Sequence, residues 1–322
     1  MMHPTYPPRR HQSGRDPAAD LGTSSMLLSR QRQLLALLDA LGGRSVNLDF
    51  QKLLFLCCQE SAPPAPYDFV PYKFGAFSFT SYSDRRKLVD RGLLVDDEQT
   101  WELTARGRKA VSAAGVIAPQ FASIARQYRG VRGDALVAET YRRYPYYATR
   151  SEIAKRVLRG DADTLRRIEG IRASAISALS TIGYEGRTLE GYLNDLLKSG
   201  VTVLCDIRRN PISRKYGFSK KTLSKGCEDV GIRCEHLPEL GIASEQRQNL
   251  ETQADYDAVF ESYERETLPK QTTTLAKIRG WIQSGESVAL TCYEHLPEQC
   301  HRHSVAEALE RQLGAGFAVR HL

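Results

Sequence analysis

The residues able to do chemistry gather at a few points in the second half of the chain. Tyr184 and Glu185 lie in the turn Gly183-Tyr-Glu-Gly186. Asp206 and Arg208 stand two apart, and Arg209, Asn210, Ser213, Arg214 and Lys215 follow. His236 precedes Pro238, Glu239 and Gly241. Cys292 and Glu294 again stand two apart, ahead of Cys300-His-Arg302. Carboxylates set among arginines suit the cleavage of an N-glycosidic bond. A carboxylate holds or activates water and stabilises an oxocarbenium-like sugar, while cationic donors clamp phosphates and neutralise the departing base. On that reading Asp206, Glu294 and His301 are the catalytic candidates. Tyr184, Glu185, Arg208, Arg214, Lys215, His236 and Arg302 are the substrate-binding candidates. The same acid and Arg residues would equally serve as a structural salt-bridge network.

Other chemistries fit less well. The turn at 183–186 lacks the G-x-G-x-x-G of a dinucleotide site, and no Walker A sequence occurs. Cys234, His236, Cys292, Cys300, His301 and His303 are potential soft ligands. There is no C-x-x-C pair, and their spacings match no structural zinc site. The expectation is therefore no metal and no cofactor. Cys300 beside His301 and Arg302 at a helix start is a possible thiol nucleophile. The preferred alternative packs Cys300 beneath the helix and leaves Arg302 to hold a phosphate or carboxylate.

The elements needed to position these groups follow from the hydrophobic rhythm. Strands are expected at 175–182, 201–207, 232–237, 287–293 and 317–321. Helices are expected at 188–198, 220–230 and 304–313, with mostly helical chain from 255 to 284 broken at Pro269. The run at 201–207 is almost continuously apolar, as in a strand buried on both faces. Alternating strands and helices predict a Rossmann-like three-layer α/β domain with a mostly parallel sheet over 175–322. Each polar group above then lies beyond the carboxyl end of a strand, where such sheets bind ligands.

The motifs also carry a resemblance. Thr181-Ile-Gly-Tyr-Glu-Gly186, Cys205-Asp-Ile-Arg208, Tyr216-Gly-Phe-Ser219, His236-Leu-Pro-Glu-Leu-Gly241, and Cys292-x-Glu294 with Cys300-His-Arg302 resemble the bacterial family named domain of unknown function 488 over about 175–320. The resemblance implies a Rossmann-like α/β domain and points to Asp206, Arg208, Glu294, His301 and Arg302. It implies no particular activity.

The first half reads differently. Residues 1–24 are rich in Pro, Arg, Ser and Asp, and are expected to form a disordered tail. Leu34, Leu35, Leu38 and Leu41 have helical spacing up to Gly42-Gly43. A second helix after Asn47 buries Phe50, Leu53, Leu54, Cys57 and Cys58 as a core stripe. A third helix over about 80–90, then short strands at 93–95 and 100–103, predict a small winged-helix-like α+β domain over 25–115. The stretches 88–94 and 101–107 resemble the recognition-helix end and wing of winged-helix proteins. Phe74-Gly-Ala-Phe-Ser78 resembles a segment of phage-associated and antitoxin-like proteins. Residues 116–174 are expected to be a helical connector, with Tyr141-Arg-Arg-Tyr-Pro-Tyr-Tyr147 as an aromatic packing knot.

Charge supports a nucleic-acid partner for this half. Residues 1–150 hold 21 Lys and Arg against 14 Asp and Glu, so the entire net charge of +7 lies there. Basic excess favours a phosphate backbone through counterion release. Arg85, Arg86, Lys87, Arg91, Arg106 and Arg108 are the expected DNA contacts. No apolar run reaches the length of about 18 residues that a membrane span needs. The polar amino terminus and the odd cysteine count suit a reducing cytoplasm. The expectation is a cytoplasmic DNA-binding enzyme that hydrolyses the base–sugar bond of a modified or foreign base, as in antiviral defence. The alternatives are a nucleotide-sensing winged-helix regulator without catalysis and a Cys300-dependent thiol enzyme.

Overall fold

The structure is a computed structural model that describes residues 27–60, 64–113, 119–171, 178–247, 250–314 and 317–322. The expected disordered tail lies outside these residues. The first half runs α1 (Ser29–Ala40), β1 (Arg44–Val46), α2 (Asn47–Glu60), β2 (Val70–Tyr72), β3 (Gly75–Phe77), α3 (Phe79–Asp90), β4 (Thr100–Glu102) and α4 (Ala105–Ala113). Four further helices follow: α5 (Pro119–Gln127), α6 (Gly133–Arg143), α7 (Ala154–Val157) and α8 (Ala162–Ile171).

The leucine stripe of α1 and the Phe50–Cys58 stripe of α2 are buried together, with Trp101 stacked on Phe50 at 4.4 Å. β1 pairs antiparallel with β4, and Leu94 forms a single antiparallel bridge to Leu103. Two features depart from the winged-helix-like expectation. The strand expected at 93–95 is reduced to that bridge, and an extra hairpin, β2–β3, stands between α2 and α3. Its strands are three residues long, too short for alternation to register in the sequence. The tyrosine-rich stretch is a packing knot. Tyr141 is buried, and Tyr144 and Tyr147 set their rings edge-on to Phe55 at 5.1 and 4.6 Å.

The second half runs β5 (Ala178–Gly183), α9 (Leu189–Lys198), β6 (Val203–Asp206), α10 (Lys220–Asp229), β7 (Arg233–His236), α11 (Gln253–Ser262), α12 (Thr272–Gln283), β8 (Ser287–Cys292), α13 (Arg302–Leu313) and β9 (Val319–His321). The five strands form one parallel sheet in the order β7-β6-β8-β5-β9. Alternation along the strands assigns the two faces. Leu204 and Ala289 pack with α9 and α10, whereas Val203, Cys205, Val288 and Leu290 pack with α11, α12 and α13. Helices on both faces of a parallel sheet make three layers, the Rossmann-like architecture expected.

The halves meet along α9. Glu190, in its first turn, accepts hydrogen bonds from Ser78 Oγ (3.0 Å), Thr80 N (2.7 Å) and Thr80 Oγ1 (2.9 Å) at the start of α3. Asn194 Nδ2 donates to the Phe69 carbonyl at 2.7 Å, and Tyr146 donates to Asn194 Oδ1 at 2.8 Å. Val70 and Phe79 enter the apolar layer between α9 and α10. No helix among the described residues is long and apolar enough to cross a membrane.

Candidate active site

Register aligns the carboxyl ends of the strands. Asp206 lies opposite His236 on one side and Thr291 on the other, and Gly183 lies opposite Cys292. From β6 the chain turns to α10 on one face, and from β8 to α13 on the other. Such a change of side opens a crevice at the strand ends. A cleft of 350 Å³ lies there, within the size range of small-ligand sites. Its wall after β6 is Arg208, Arg209, Asn210, Ser213 and Arg214. Its wall after β8 is Cys292, Tyr293 and Glu294, with His301 from the turn into α13 and Tyr184 from the end of β5. Two glycines permit this closeness. A Cβ on Gly183 would collide with the Glu294 carbonyl, and one on Gly241 with the Arg209 backbone.

Asp206 does not line the cleft. Arg208 covers it, donating from Nε to Oδ1 at 2.7 Å and from Nη2 to Oδ2 at 2.6 Å. Arg208 Nη1 also donates to Tyr184 OH (3.0 Å) and to the Phe218 carbonyl (2.8 Å). Burial acts to lower the Arg208 pKa, but the Asp206 hydrogen bonds and charge outweigh it and the net shift is upward. The catalytic assignment of Asp206 is corrected accordingly: both oxygens neutralise a buried arginine, which in turn anchors Tyr184. Tyr184 stacks on Phe218 with ring centroids 4.4 Å apart.

Arg302 is also a structural group rather than a ligand clamp. It is 1% exposed and donates to the carbonyls of Glu294 (2.5 Å) and His295 (2.8 Å), fixing the loop after β8. Glu185 is exposed and accepts from the His295 backbone N–H at 3.0 Å, bracing the same loop from outside. Lys215 Nζ donates to the Tyr184 carbonyl at 3.1 Å, and burial lowers its pKa. His236 lies between Lys220 Nζ (2.9 Å) and the Arg208 carbonyl (3.0 Å). None of these four lines the cleft. They shape its walls because each is tied to a loop that does.

Of the predicted residues, Tyr184, Arg208, Arg214, Glu294 and His301 reach the cleft. Arg209, Asn210 and Ser213 belong to the polar run already noted after β6. Ile212, Ile242 and Tyr293 were not anticipated. Ile212 is 77% exposed in an otherwise polar loop, which was its only signal.

Cys292, Cys300 and His301 are all buried, and their ligand atoms lie within 4.8 Å of one another. His301 Nδ1 faces Cys292 Sγ at 3.9 Å, and His301 Nε2 lies 3.2 Å from the Ile207 carbonyl. Cys300 packs beneath α13. Burial, then its hydrogen bond with Cys292, pushes its thiol pKa up.

The expected DNA-binding residues divide. Arg85 is buried, donates to the carbonyls of Asp97 and Thr100, and lies over the Trp101 ring. It holds the chain between α3 and β4 in place and is removed from the DNA-contact set. Arg86, Lys87, Arg106 and Arg108 are exposed, and Arg91 is half-buried. The α3 amino terminus is covered by Glu190, so only the later part of that helix faces solvent.

A parallel α/β domain with a polar cleft at its strand ends is thus the class that fold and site define. Residues 188–309, in the C-terminal part of the chain, match the family model described as Domain of unknown function DUF488. The match begins after the Tyr184-Glu185 turn and ends within α13. No curated protein matched the chain.

Proposed function

We propose that the cleft takes a nucleotide or a nucleic-acid base and that Glu294 supplies the carboxylate for hydrolysing its N-glycosidic bond. The observation that carries this reading is the wall itself. Among the described residues lining it, Glu294 is the one carboxylate, and it shares the cleft with exposed Arg209 and Arg214. Those arginines suit phosphate oxygens. Tyr293, 45% exposed at the rim, offers a ring face for a base. Water adds to the anomeric carbon as the carbon–nitrogen bond breaks. Glu294 accepts a proton from that water, and its charge favours the oxocarbenium-like sugar. Nucleic acid is the proposed larger partner, held by Arg86, Lys87, Arg106 and Arg108 through its phosphates.

The test incubates the full chain with nucleotides and with single- and double-stranded DNA carrying normal and modified bases. Mass spectrometry then reads released free base. Release that disappears in Glu294→Gln supports the reading. Nucleotide binding with no base released from any substrate overturns it and leaves the sensor alternative.

A further inference from the structure

We propose that Cys292, Cys300 and His301 bind one zinc ion whose fourth coordination position opens onto the cleft. The fold brings these donors together although the sequence spaces them unevenly. Cys292 is the last residue of β8, and Cys300 and His301 stand at the entry to α13. The intervening loop, fixed by Arg302, folds back so that all three converge. Two sulfurs and an imidazole nitrogen, all within 4.8 Å of one another, form the single such group found among the described residues. A tetrahedral zinc with ordinary bond lengths holds sulfur and nitrogen about 3.5 Å apart. The Cys292–His301 separation of 3.9 Å needs to close by only a few tenths of an ångström.

The histidine is oriented for this role. The Ile207 carbonyl can only accept a hydrogen bond, so His301 Nε2, 3.2 Å away, carries the proton. Nδ1 then presents its lone pair to the thiol. A ligating histidine fixed by a backbone carbonyl through its other nitrogen is the usual outer support of a metal site. Two thiolates and an imidazole select zinc over magnesium or calcium, which prefer oxygen.

The site has an open side. Cys292 and His301 line the cleft with Glu294, whereas Cys300 does not. Three protein ligands with a fourth position facing a ligand cleft is the pattern of a catalytic rather than a structural zinc. Water in that position would have its pKa lowered to about 7. The proposal is independent of the base-hydrolysis reading, because a chain that releases no base would still hold the ion.

The full chain is to be expressed in zinc-supplemented medium and purified without chelators or metal-affinity resin. Elemental analysis should find one zinc per chain that survives dialysis. The double variant Cys292→Ser/Cys300→Ser should hold none, and Cys227→Ser, outside the cluster, should keep it. Because the double variant also disturbs a buried layer, cobalt(II) is added separately to chelator-stripped wild-type chain. A thiolate-to-cobalt charge-transfer band supports the site, and it should weaken in Cys300→Ser. Wild-type chain that carries no zinc and gives no such band overturns the proposal, as does a double variant that retains full zinc.

Discussion

Arg208 clasps the Asp206 carboxylate through two parallel hydrogen bonds, at 2.7 and 2.6 Å, with both side chains buried at the end of β6. Removing one member of such a pair strands the other charge and typically costs about 3–5 kcal/mol. Asp206→Asn should therefore lower the melting temperature sharply. Base release, measured as a single-turnover rate, should fall only in proportion to folded protein. A variant that melts like the wild type but no longer turns over would return Asp206 to a direct chemical role.

Glu294→Gln should behave in the opposite way. Glu294 lines the cleft, while its backbone carbonyl, which holds Arg302, is unaffected by the change. The melting temperature should stay close to the wild-type value. Single-turnover base release should fall by about a hundredfold or more, the scale expected when a general base is removed. Unchanged turnover in a folded Glu294→Gln chain would remove the proposed chemistry.

These two carboxylates mark how far the sequence reaches. The order of strands and helices in the second half is legible because β6 and β8 are short, largely apolar runs and α9 and α10 have a clear helical period. The position of both carboxylates beyond strand ends follows from that order. Which one lines the cleft does not, because it depends on whether a neighbouring arginine turns inward. Arg208 turns in to Asp206, and Arg302 turns in to two carbonyls. The convergence of Cys292 with Cys300 and His301 is likewise hidden. It arises from a loop that returns across the sheet end, and spacing rules for zinc address only local pairs. The β2–β3 hairpin escapes for a different reason: three-residue strands carry no period.

The cations of the first half should separate by burial. Arg86, Lys87 and Arg106 are exposed, so replacing all three with Ala should weaken duplex DNA binding. The slope of its salt dependence should flatten by about 0.9 for each phosphate that the variant no longer neutralises. Arg85→Ala should instead destabilise the protein, because its guanidinium holds two carbonyls and covers Trp101. Titrations at several salt concentrations, paired with melting curves, distinguish the two effects. A full chain with no DNA affinity at low salt would end the nucleic-acid reading of this half.

Glu190 is the polar centre of the contact between the halves. Glu190→Ala would leave the Thr80 N–H and two hydroxyls at the α3 start without their acceptor. Each buried donor left without a partner costs about 1–3 kcal/mol. Limited proteolysis should then cut the variant faster near the segment joining the halves, with Glu190→Gln closer to wild type. Equal cleavage rates for Glu190→Ala and wild type would show that the Asn194 hydrogen bonds and the apolar contacts of Val70 and Phe79 hold the halves without it.

Lys52 gives the protein a pH dependence whose sign can be worked out. Its amine is fully buried in α2 and donates to the Ala76 carbonyl at 2.8 Å. Burial lowers its pKa from 10.5 to about 7. The unfolded chain thus binds the Lys52 proton across a range where the folded chain has released it. Between about pH 7 and 10.5, then, this group makes stability rise with pH, by at most about 1.4 kcal/mol per unit. Below about pH 7 both states are protonated and the burial penalty is constant and complete. Lys52→Met keeps the apolar stem and removes the titration, at the cost of the Ala76 hydrogen bond. The difference in unfolding free energy between Lys52→Met and wild type should therefore shift in favour of wild type as pH rises from 7 to 9. Urea denaturation at several pH values measures it, and the difference between the two proteins cancels the other titrating groups. A difference that does not change with pH would mean that Lys52 keeps its ordinary pKa in the folded chain.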